Sequence, residues 1–306
     1  MSDIKIQFLG TSSAVPTRQR GLSCTVLHFE NELIIFDCGE GAQRAALAAG
    51  IGLNRESSVF ITHMHGDHVV GLLGLMQTMS MNRREKPLRI FGPKSITEFI
   101  VSNQRILGFG LTYDAYAKTV RQGLAFESKY FRVFAQKSEH SRLSYAYVFE
   151  EKQRPGRFDT KKALALRVPE GPLWGRLQHG RNVKSERGRT IRPEQVLGKP
   201  RMGKRIGISG DTRPSDSLSR FFQGCDVIVA DSTYGDQHKE LALENMHSTS
   251  REAAAMAKRA RAKTLILTHF SARYRNVTQL VKQAREVFPN TIAASDMMTY
   301  DLSAAE

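Results

Sequence analysis

The chain has few cysteines, one tryptophan and no long apolar run, and each scarcity excludes a class of protein. Its three cysteines form no CxxC pair and are odd in number, which predicts reduced thiols and not a disulfide framework. No segment reaches the roughly eighteen apolar residues that a membrane-spanning helix needs. Residues 1–6 lack the apolar core of a signal peptide. We therefore expect a cytoplasmic protein without a membrane span.

Acidic residues are also scarce, and the resulting positive charge is unevenly distributed. Lys and Arg number 45 against 30 Asp and Glu, which gives a net charge of +15. Residues 151–205 hold sixteen of the basic and five of the acidic residues, so +11 arises in 55 residues. This segment is rich in Gly and Pro, has little apolar content and contains Trp174. It predicts an inserted arm that attracts polyanions without reading their sequence, with a solvated loop as the alternative.

The rest of the chain predicts two similar α/β halves, on either side of the basic segment. Residues 4–149 alternate strand-like and helix-like segments, such as the apolar run Leu33 to Phe36 and the Ala-rich helix Ala42 to Ala49. Residues 206–300 repeat this pattern with a strand at Thr264 to Thr268 between predicted helices at Ser250 to Ala262 and Val277 to Phe288. The apolar fraction of 41% is ordinary for a globular protein, and a chain of this length can bury a sizeable core.

The most informative feature is the octet from Thr62 to Val69, Thr-His-Met-His-Gly-Asp-His-Val. Four side chains that bind divalent metals fall within six residues, directly after an apolar run that predicts a buried strand. Histidine nitrogen and carboxylate oxygen together suit zinc, and an open coordination position suits catalysis. Because one such cluster cannot fill two metal shells, distant partners are required. His140, Asp211 and His269 each follow a strand-like segment, where polar side chains emerge at a sheet edge.

These residues and several other stretches resemble the metallo-β-lactamase superfamily and, within it, the ribonuclease Z family. The octet is similar to the superfamily signature, and the ordered set of further motifs extends from near residue 4 to near residue 300. They are Phe8 to Ser12, Ile35 to Gly41, Gly210 to Pro214, His247 to Thr249 and Thr268 to Tyr274. The resemblance implies a single αββα sandwich over residues 1–306. It also implies an endonuclease that cuts precursor tRNA on the 3′ side of the discriminator nucleotide, leaving 3′-OH and 5′-phosphate ends.

The resemblance also implies a two-metal site, with two Zn²⁺ per chain and Mn²⁺ or Mg²⁺ as alternatives. Asp211 would bridge the two ions, because two cations at close range need a shared anionic ligand. The ligands implied are His63, His65 and His140 for one ion, and Asp67, His68 and His269 for the other.

Three catalytic residues follow from the same comparison. Asp67 is a candidate acceptor for the proton of the attacking water. His247 is the candidate acid, at a predicted helix start capped by Ser or Thr. Many family members carry His-Glu-Ala-Thr, whose Glu assists this His. Here the stretch is Ala230-Asp231-Ser232-Thr233, so Asp231 would replace that Glu with a shorter side chain.

Further residues are assigned supporting roles. Asp37 is expected to orient a metal-binding His, with capping of the following helix as a second interpretation. The candidate substrate-binding residues are Arg18, Arg20, Gly171, Pro172 and Arg273. The loop at Pro16 to Gly21 departs from the family, with Arg18 where Lys is usual and Gly21 where Asn is usual. Gly171-Pro172 resembles a segment of the family's tRNA-binding arm, and the family also implies a homodimer.

Two other functional classes compete with this interpretation. A hydrolase of the same fold, such as an arylsulfatase or a small phosphodiesterase, would share the metal site but have no need of the basic segment. A non-catalytic RNA-binding protein would keep the basic segment with a vestigial site, and the complete set of seven ligand-type residues argues against it.

Overall fold

Short apolar runs form the strands in the computed structural model, which describes residues 4–302. The first strand buries Ile4, Ile6 and Phe8 and leaves the residues between them partly exposed, as period-two alternation predicts. The strands are β1 (Ile4–Gly10), β2 (Ser12–Ser13), β3 (Cys24–Phe29), β4 (Glu32–Phe36), β5 (Glu56–Phe60), β6 (Leu88–Gly92), β7 (Ala115–Thr119), β8 (Gly123–Glu127), β9 (Phe131–Ser138), β10 (Ser144–Glu151), β11 (Val183–Lys184), β12 (Thr190–Ile191), β13 (Arg205–Ile208), β14 (Val227–Asp231), β15 (Thr264–Thr268), β16 (Phe270–Ser271), β17 (Thr291–Ala293) and β18 (Thr299–Asp301).

The helices are short and amphipathic, and most follow a strand. They are α1 (Ala42–Ala48), α2 (Gly66–Val69), α3 (Gly71–Met81), α4 (Ile96–Leu107), α5 (Thr160–Ala165), α6 (Pro172–Gln178), α7 (Asp216–Phe221), α8 (Lys239–Glu244), α9 (Ser250–Arg259) and α10 (Thr278–Arg285). Within residues 4–302, no helix is both long enough and apolar enough to cross a membrane.

Within the same residues, the strands form two seven-stranded sheets and two small ones. The first large sheet has the order β18-β1-β3-β4-β5-β6-β7, and the second has the order β17-β15-β14-β13-β10-β9-β8. Strands β4 to β7 are mutually parallel, and so are β13, β14, β15 and β17. Each half therefore contributes four adjacent parallel strands, and the predicted repeat of one α/β pattern is confirmed.

Each large sheet packs helices on one face and aromatic side chains on the other. Helices α1, α3 and α4 bury their apolar residues in one core with the first sheet, while α7, α9 and α10 do so with the second. Between the sheets, the ring of Tyr147 lies 5.4 Å from that of Phe60 and 5.9 Å from that of Phe36. The rings of Phe29 and Phe149 meet at 5.3 Å. This arrangement is the predicted αββα sandwich.

The chain divides into two compact units. The first comprises Met1–Glu127, Val133–Phe149 and Arg205–Glu306 and contains the sandwich. The second comprises Ser128–Arg132 and Glu150–Lys204, and the latter range nearly coincides with the predicted basic insertion.

The second unit has an apolar core of its own, which the sequence interpretation did not anticipate. Helices α5 and α6, the hairpin β11–β12 and the loops beside them bury six apolar side chains: Ala163, Val168, Leu177, Val183, Ile191 and Val196. Trp174 packs against this core and donates from its indole nitrogen to the carbonyl oxygen of Val168, at 3.0 Å. The interpretation of the segment as a solvated loop is therefore wrong, because a few well-spaced apolar residues suffice to fold it.

Candidate metal centre

Six of the seven candidate ligands follow the carboxyl ends of parallel strands, where open α/β sheets commonly place their sites. His63 and His65 lie in the loop after β5, and Asp67 and His68 lie in the short helix α2. Asp211 follows β13 and His269 follows β15, while His140 lies beyond β9. The structure thus brings all seven predicted ligand residues to one site, which belongs entirely to the first unit.

One group of ligand atoms consists of His63, His65, His140 and Asp211, all within 4.8 Å of one another. The Nδ1 atom of His65 faces Nε2 of His63 at 2.9 Å and Nε2 of His140 at 3.3 Å. The Oδ2 atom of Asp211 lies 3.6 Å from Nε2 of His63. Three imidazole nitrogens and one carboxylate oxygen therefore converge with the ligand types that zinc prefers.

A second group consists of Asp67, His68, Asp211 and His269. The Nε2 atoms of His68 and His269 face each other at 3.2 Å, and Oδ2 of Asp67 lies 3.5 Å from each of them. Asp211 belongs to both groups. Among residues 4–302, its buried Oδ1 has no hydrogen-bond partner, which leaves this anionic oxygen available to a cation. The donor set therefore fits divalent metal ions that share one carboxylate.

The outer nitrogens of four histidines are held by hydrogen bonds, which directs the inner nitrogens to the centre. Their partners are Oγ1 of Thr62 for His63 (3.0 Å), Oδ2 of Asp37 for His68 (2.7 Å), the carbonyl oxygen of Met246 for His140 (3.0 Å) and Oγ1 of Thr233 for His269 (2.9 Å). Sequence reasoning missed three of these partners. Two of them, Thr62 and Thr233, stand inside the quoted motifs, whereas a backbone carbonyl leaves no sequence signal.

Asp37 accepts hydrogen bonds from two neighbouring residues at once. The backbone nitrogen and hydroxyl of Thr62 donate to it at 2.7 and 2.9 Å, and its Oδ2 lies 2.7 Å from Nδ1 of His68. Burial lowers the pKa of His68, but Asp211 and Asp37 raise it well above its ordinary value. Helix α1 is preceded by Gly41 and has no side-chain cap, so the alternative role of Asp37 as a helix cap is wrong.

Burial and neighbouring charges also set the protonation states of His63, Asp211 and Asp67. Burial and the neighbouring His68 both lower the pKa of His63, to about 2, so its ring is neutral as metal binding requires. For Asp211, burial raises the pKa, but His269 and His68 lower it further, and it lies well below its ordinary value. Burial likewise raises the pKa of Asp67, and hydrogen bonds with His269 and His68 outweigh that effect and lower it. Both carboxyl groups are therefore anions at neutral pH.

Asp67 is also held by a backbone group that the sequence did not predict. The backbone nitrogen of Ala14 donates to its Oδ2 at 2.8 Å. Ala14 has a φ of 55°, a conformation that costs energy for a residue with a side chain. No side-chain pattern signals such a contact, so it was missed.

His247 and Asp231 form a pair beside the second group. Nδ1 of His247 lies 2.9 Å from Oδ2 of Asp231, and 3.9 Å from Oδ2 of Asp211. Asp231 is buried, and the backbone nitrogens of Thr212 and Ser248 also donate to its Oδ2. Burial lowers the pKa of His247, but the charge and hydrogen bond of Asp231 raise it more, to about 9. The ring is therefore protonated at neutral pH and oriented by a carboxylate.

The predicted helix start after His247 is confirmed. Helix α9 begins at Ser250, and the hydroxyl of Thr249 accepts from the backbone nitrogen of Glu252. The Glu252 carboxylate accepts in return from the backbone nitrogen of Thr249, at 2.9 Å, which completes a capping box.

The predicted substrate-binding residues differ in their surroundings. Arg18 and Arg273 are exposed, and the Arg273 guanidinium lies 5.4 Å from the centre of the Tyr234 ring. Arg20 is half-buried and donates to the carbonyl oxygen of Tyr274 at 2.8 Å, so it holds the loop after His269. Gly171 and Pro172 lie in the second unit, where they start α6. Gly171 has a φ of 140°, which favours glycine.

Comparison with known proteins finds relatives of the β-lactamase superfamily, and among them several ribonuclease Z proteins. A model described as "Beta-lactamase superfamily domain" matches residues 176–270, and one described as "Anti-Pycsar protein Apyc1" matches residues 4–145. The chain is 46% identical over 299 residues to ribonuclease Z of Nitrosopumilus maritimus, covering 98% of this chain and 100% of that protein. It is 41% identical over 300 residues to ribonuclease Z of Methanosarcina acetivorans, covering 98% of each. The crystal structure of the short form of human tRNase Z matches with a TM-score of 0.71 and 25% identity, covering 97% of this chain and 98% of that one.

Proposed function

The chain belongs to the ribonuclease Z family and is an endoribonuclease, and from this premise we propose that it removes 3′ trailers from precursor tRNA. The cut falls on the 3′ side of the discriminator nucleotide and leaves a tRNA with a 3′-OH and a trailer with a 5′-phosphate. The observation that carries the proposal is the pair of ligand groups that share Asp211, with a His–Asp pair beside them. A phosphodiester hydrolase needs one set of groups to activate the attacking water and another to protonate the leaving oxygen. The ligand groups would serve the first task and the His–Asp pair the second.

Two Zn²⁺ ions are proposed as the metals, with Mn²⁺ or Mg²⁺ as alternatives. His63, His65 and His140 would hold one ion, while Asp67, His68 and His269 would hold the other, and Asp211 would bridge them. Such ions stabilise negative charge on the phosphate and lower the pKa of water at the site.

The chain's own residues would manage the two proton transfers. The Asp67 carboxylate, held by the amide of Ala14, is proposed to accept the proton of the attacking water. His247 is proposed to donate a proton to the departing 3′-oxygen, since Asp231 keeps its ring protonated and oriented. The 2.9 Å contact supports Asp231 in the role that Glu has in many family members, despite its shorter side chain.

The basic second unit is proposed to bind the tRNA without taking part in the chemistry. Its exposed cations include Arg176, Arg181 and Lys184, and binding through such groups gains free energy from counterion release. Gly171 and Pro172 in this unit, and Arg18 and Arg273 in the first, are proposed RNA contacts. For Arg20, the hydrogen bond to the Tyr274 carbonyl favours an indirect role, through the loop that it holds. A homodimer and a cytoplasmic location remain predictions.

The direct test is incubation of metal-loaded protein with a 3′-extended tRNA precursor, followed by mapping of both new ends. A single cut after the discriminator nucleotide is expected, and its products should carry the ends stated above. The same preparation should be offered an aryl sulfate and a cyclic nucleotide. Turnover of either of these with the precursor left intact would assign the site to a different hydrolase of this fold.

A further inference from the structure

Arg213 contacts three parts of the centre: the segment before His140, the backbone of His247 and the start of α9 at Glu252. It follows Asp211 by two residues, and its backbone nitrogen donates to the carbonyl oxygen of Glu139, the neighbour of His140, at 2.8 Å. Its guanidinium donates to both carboxylate oxygens of Glu252 and also to the carbonyl oxygen of His247. Arg213 lies within the quoted motif from Gly210 to Pro214, but the sequence interpretation assigned it no role and none of these contacts was predicted.

The Arg213–Glu252 pair is tied to the start of α9 and is largely shielded. The side chains are 13% and 21% exposed. The Glu252 oxygen that accepts from Arg213 at 2.9 Å also accepts from the backbone nitrogen of Thr249, at the same distance. The carboxylate therefore caps the helix and anchors the guanidinium at once. A planar guanidinium presents five N–H donors in a fixed fork that suits two carboxylate oxygens and a carbonyl together, whereas an ammonium group has three donors on a single nitrogen.

The backbone that Arg213 holds is a turn with two functional carbonyl groups in succession. Met246 has a φ of 59°, and its carbonyl oxygen accepts from Nδ1 of His140. The next carbonyl, that of His247, accepts from Arg213. Because Met246 is in a conformation that is costly for a side-chain-bearing residue, the turn needs such external contacts to persist.

We propose that Arg213 and Glu252 form a clamp that positions His247 for proton donation to the leaving 3′-oxygen. Arg213 is a positioning residue, since it contacts the backbone of His247 and not the reacting atoms. The inference rests on the proposed role of His247 as the acid. Without the clamp, the ring keeps its contact with Asp231 but its backbone is free to shift, and a misplacement of about 1 Å can cost up to about a hundredfold in rate.

The leaving group provides a test that a merely structural role would not pass. The 3′-oxygen of a ribonucleotide is a poor leaving group that needs a proton, whereas the p-nitrophenolate of bis(p-nitrophenyl) phosphate leaves without one. Arg213→Met should lower kcat on precursor tRNA by roughly 10- to 100-fold, and turnover of bis(p-nitrophenyl) phosphate should change little. Arg213→Lys should fall between, because its ammonium group reaches only part of the acceptor set.

A neighbouring ion pair offers a matched control. Arg251, also on α9, pairs with Asp236 and Glu286 at 2.6 Å and has no contact with His247 among the described residues. Arg251→Met should therefore leave the ratio of the two activities unchanged. The metal content of each variant should match the wild type, and both activities should be measured well below the melting temperature of each variant. If Arg213→Met does not fold, Glu252→Gln carries the same comparison, since its amide oxygen can still accept from Thr249.

Two outcomes separate failure of the clamp from failure of the acid assignment. His247→Ala should itself lose far more activity on precursor tRNA than on bis(p-nitrophenyl) phosphate, and Arg213→Met should add little in that background. If His247→Ala loses equal activity on both substrates, His247 is not the acid that protonates the leaving group, and the proposed function fails at this residue. If His247→Ala shows the expected difference but Arg213→Met lowers both activities in parallel, the clamp inference is overturned and Arg213 is structural.

Discussion

The metal centre and the basic second unit differ in how they hold their charged groups. In the centre, His63, His68 and Asp211 are almost fully buried, and hydrogen bonds fix the outer nitrogens of the histidines. In the second unit, cations such as Arg187 and Arg189 are exposed on a small fold with a six-residue core. Metal coordination tolerates deviations of only a few tenths of an ångström in the metal–ligand distances, whereas binding by counterion release depends on charge density. Loss of a shared ligand in the centre should therefore abolish hydrolysis, whereas damage to the second unit should be graded and dependent on salt.

The largest effect is expected for Asp211→Ala. It removes the only residue shared by the two ligand groups, so two cations would face each other without a common anion. Hydrolysis of both precursor tRNA and bis(p-nitrophenyl) phosphate should fall below detection, and elemental analysis should show metal content reduced from about two ions per chain. His65→Ala should behave similarly. Full activity of the wild type with a single bound ion would show that Asp211 does not need to bridge two metals.

The next largest effect should come from excising most of the second unit. Arg154 and Arg201 pair through reciprocal backbone hydrogen bonds of 3.0 and 2.9 Å, so a Gly-Gly turn between them should close the chain. The KM for precursor tRNA should rise steeply, and turnover of bis(p-nitrophenyl) phosphate should persist because all seven candidate ligands are retained. The slope of log K against log salt should flatten by about 0.7–0.9 for each phosphate that the shortened protein no longer neutralises.

Unchanged tRNA affinity and an unchanged salt slope in this deletion would show that the basic unit does not bind the substrate. A full-length variant with Arg187 and Arg189 replaced by Ala serves as a milder control, because both side chains are exposed. It should shift the same two quantities in the same direction by a smaller amount.

A smaller effect within the centre is expected for Asp37→Asn. The amide oxygen of Asn can still accept from the backbone nitrogen of Thr62. The substitution removes the negative charge of Asp37, which helps to raise the pKa of His68, so His68 becomes a less basic ligand. Removal of such a partner typically weakens metal binding by about 10- to 100-fold. Titration of the metal-free protein should show this weakening, and excess metal should restore much of the activity. Metal affinity equal to the wild type would place the function of Asp37 in folding alone.

The smallest effect on catalysis is expected for Leu177→Ala, in the core of the second unit. Leu177 is fully buried, and such truncations usually cost about 2–5 kcal/mol. Trp174 packs against the same core and is the only tryptophan of the chain, so its fluorescence reports local unfolding. The second unit should melt at a lower temperature, with bis(p-nitrophenyl) phosphate turnover unchanged. A parallel fall in that turnover would contradict the separation of chemistry from binding.

The elements that positioned the ligands were largely predictable. The strand Thr264–Thr268 was predicted with its exact ends, because five consecutive strand-forming residues are bounded by polar ones. The predicted helix from Ser250 to Ala262 begins as expected and ends earlier, at Arg259, shortly before Arg261 takes a left-handed φ of 52°. The small core of the second unit was missed because its apolar residues are scattered among many charges.

Ligand chemistry and local periodicity were accessible from the sequence by itself, since both depend on residue type and short-range spacing. The seven candidate ligands, the two α/β halves and the concentration of positive charge were identified in this way. Only the tertiary structure decided which contacts orient those ligands. The carbonyl of Met246 on His140, the amide of Ala14 on Asp67 and the guanidinium of Arg213 on the His247 carbonyl join residues far apart in the chain. Backbone groups are present at every residue, so folding alone determines which of them face a functional side chain.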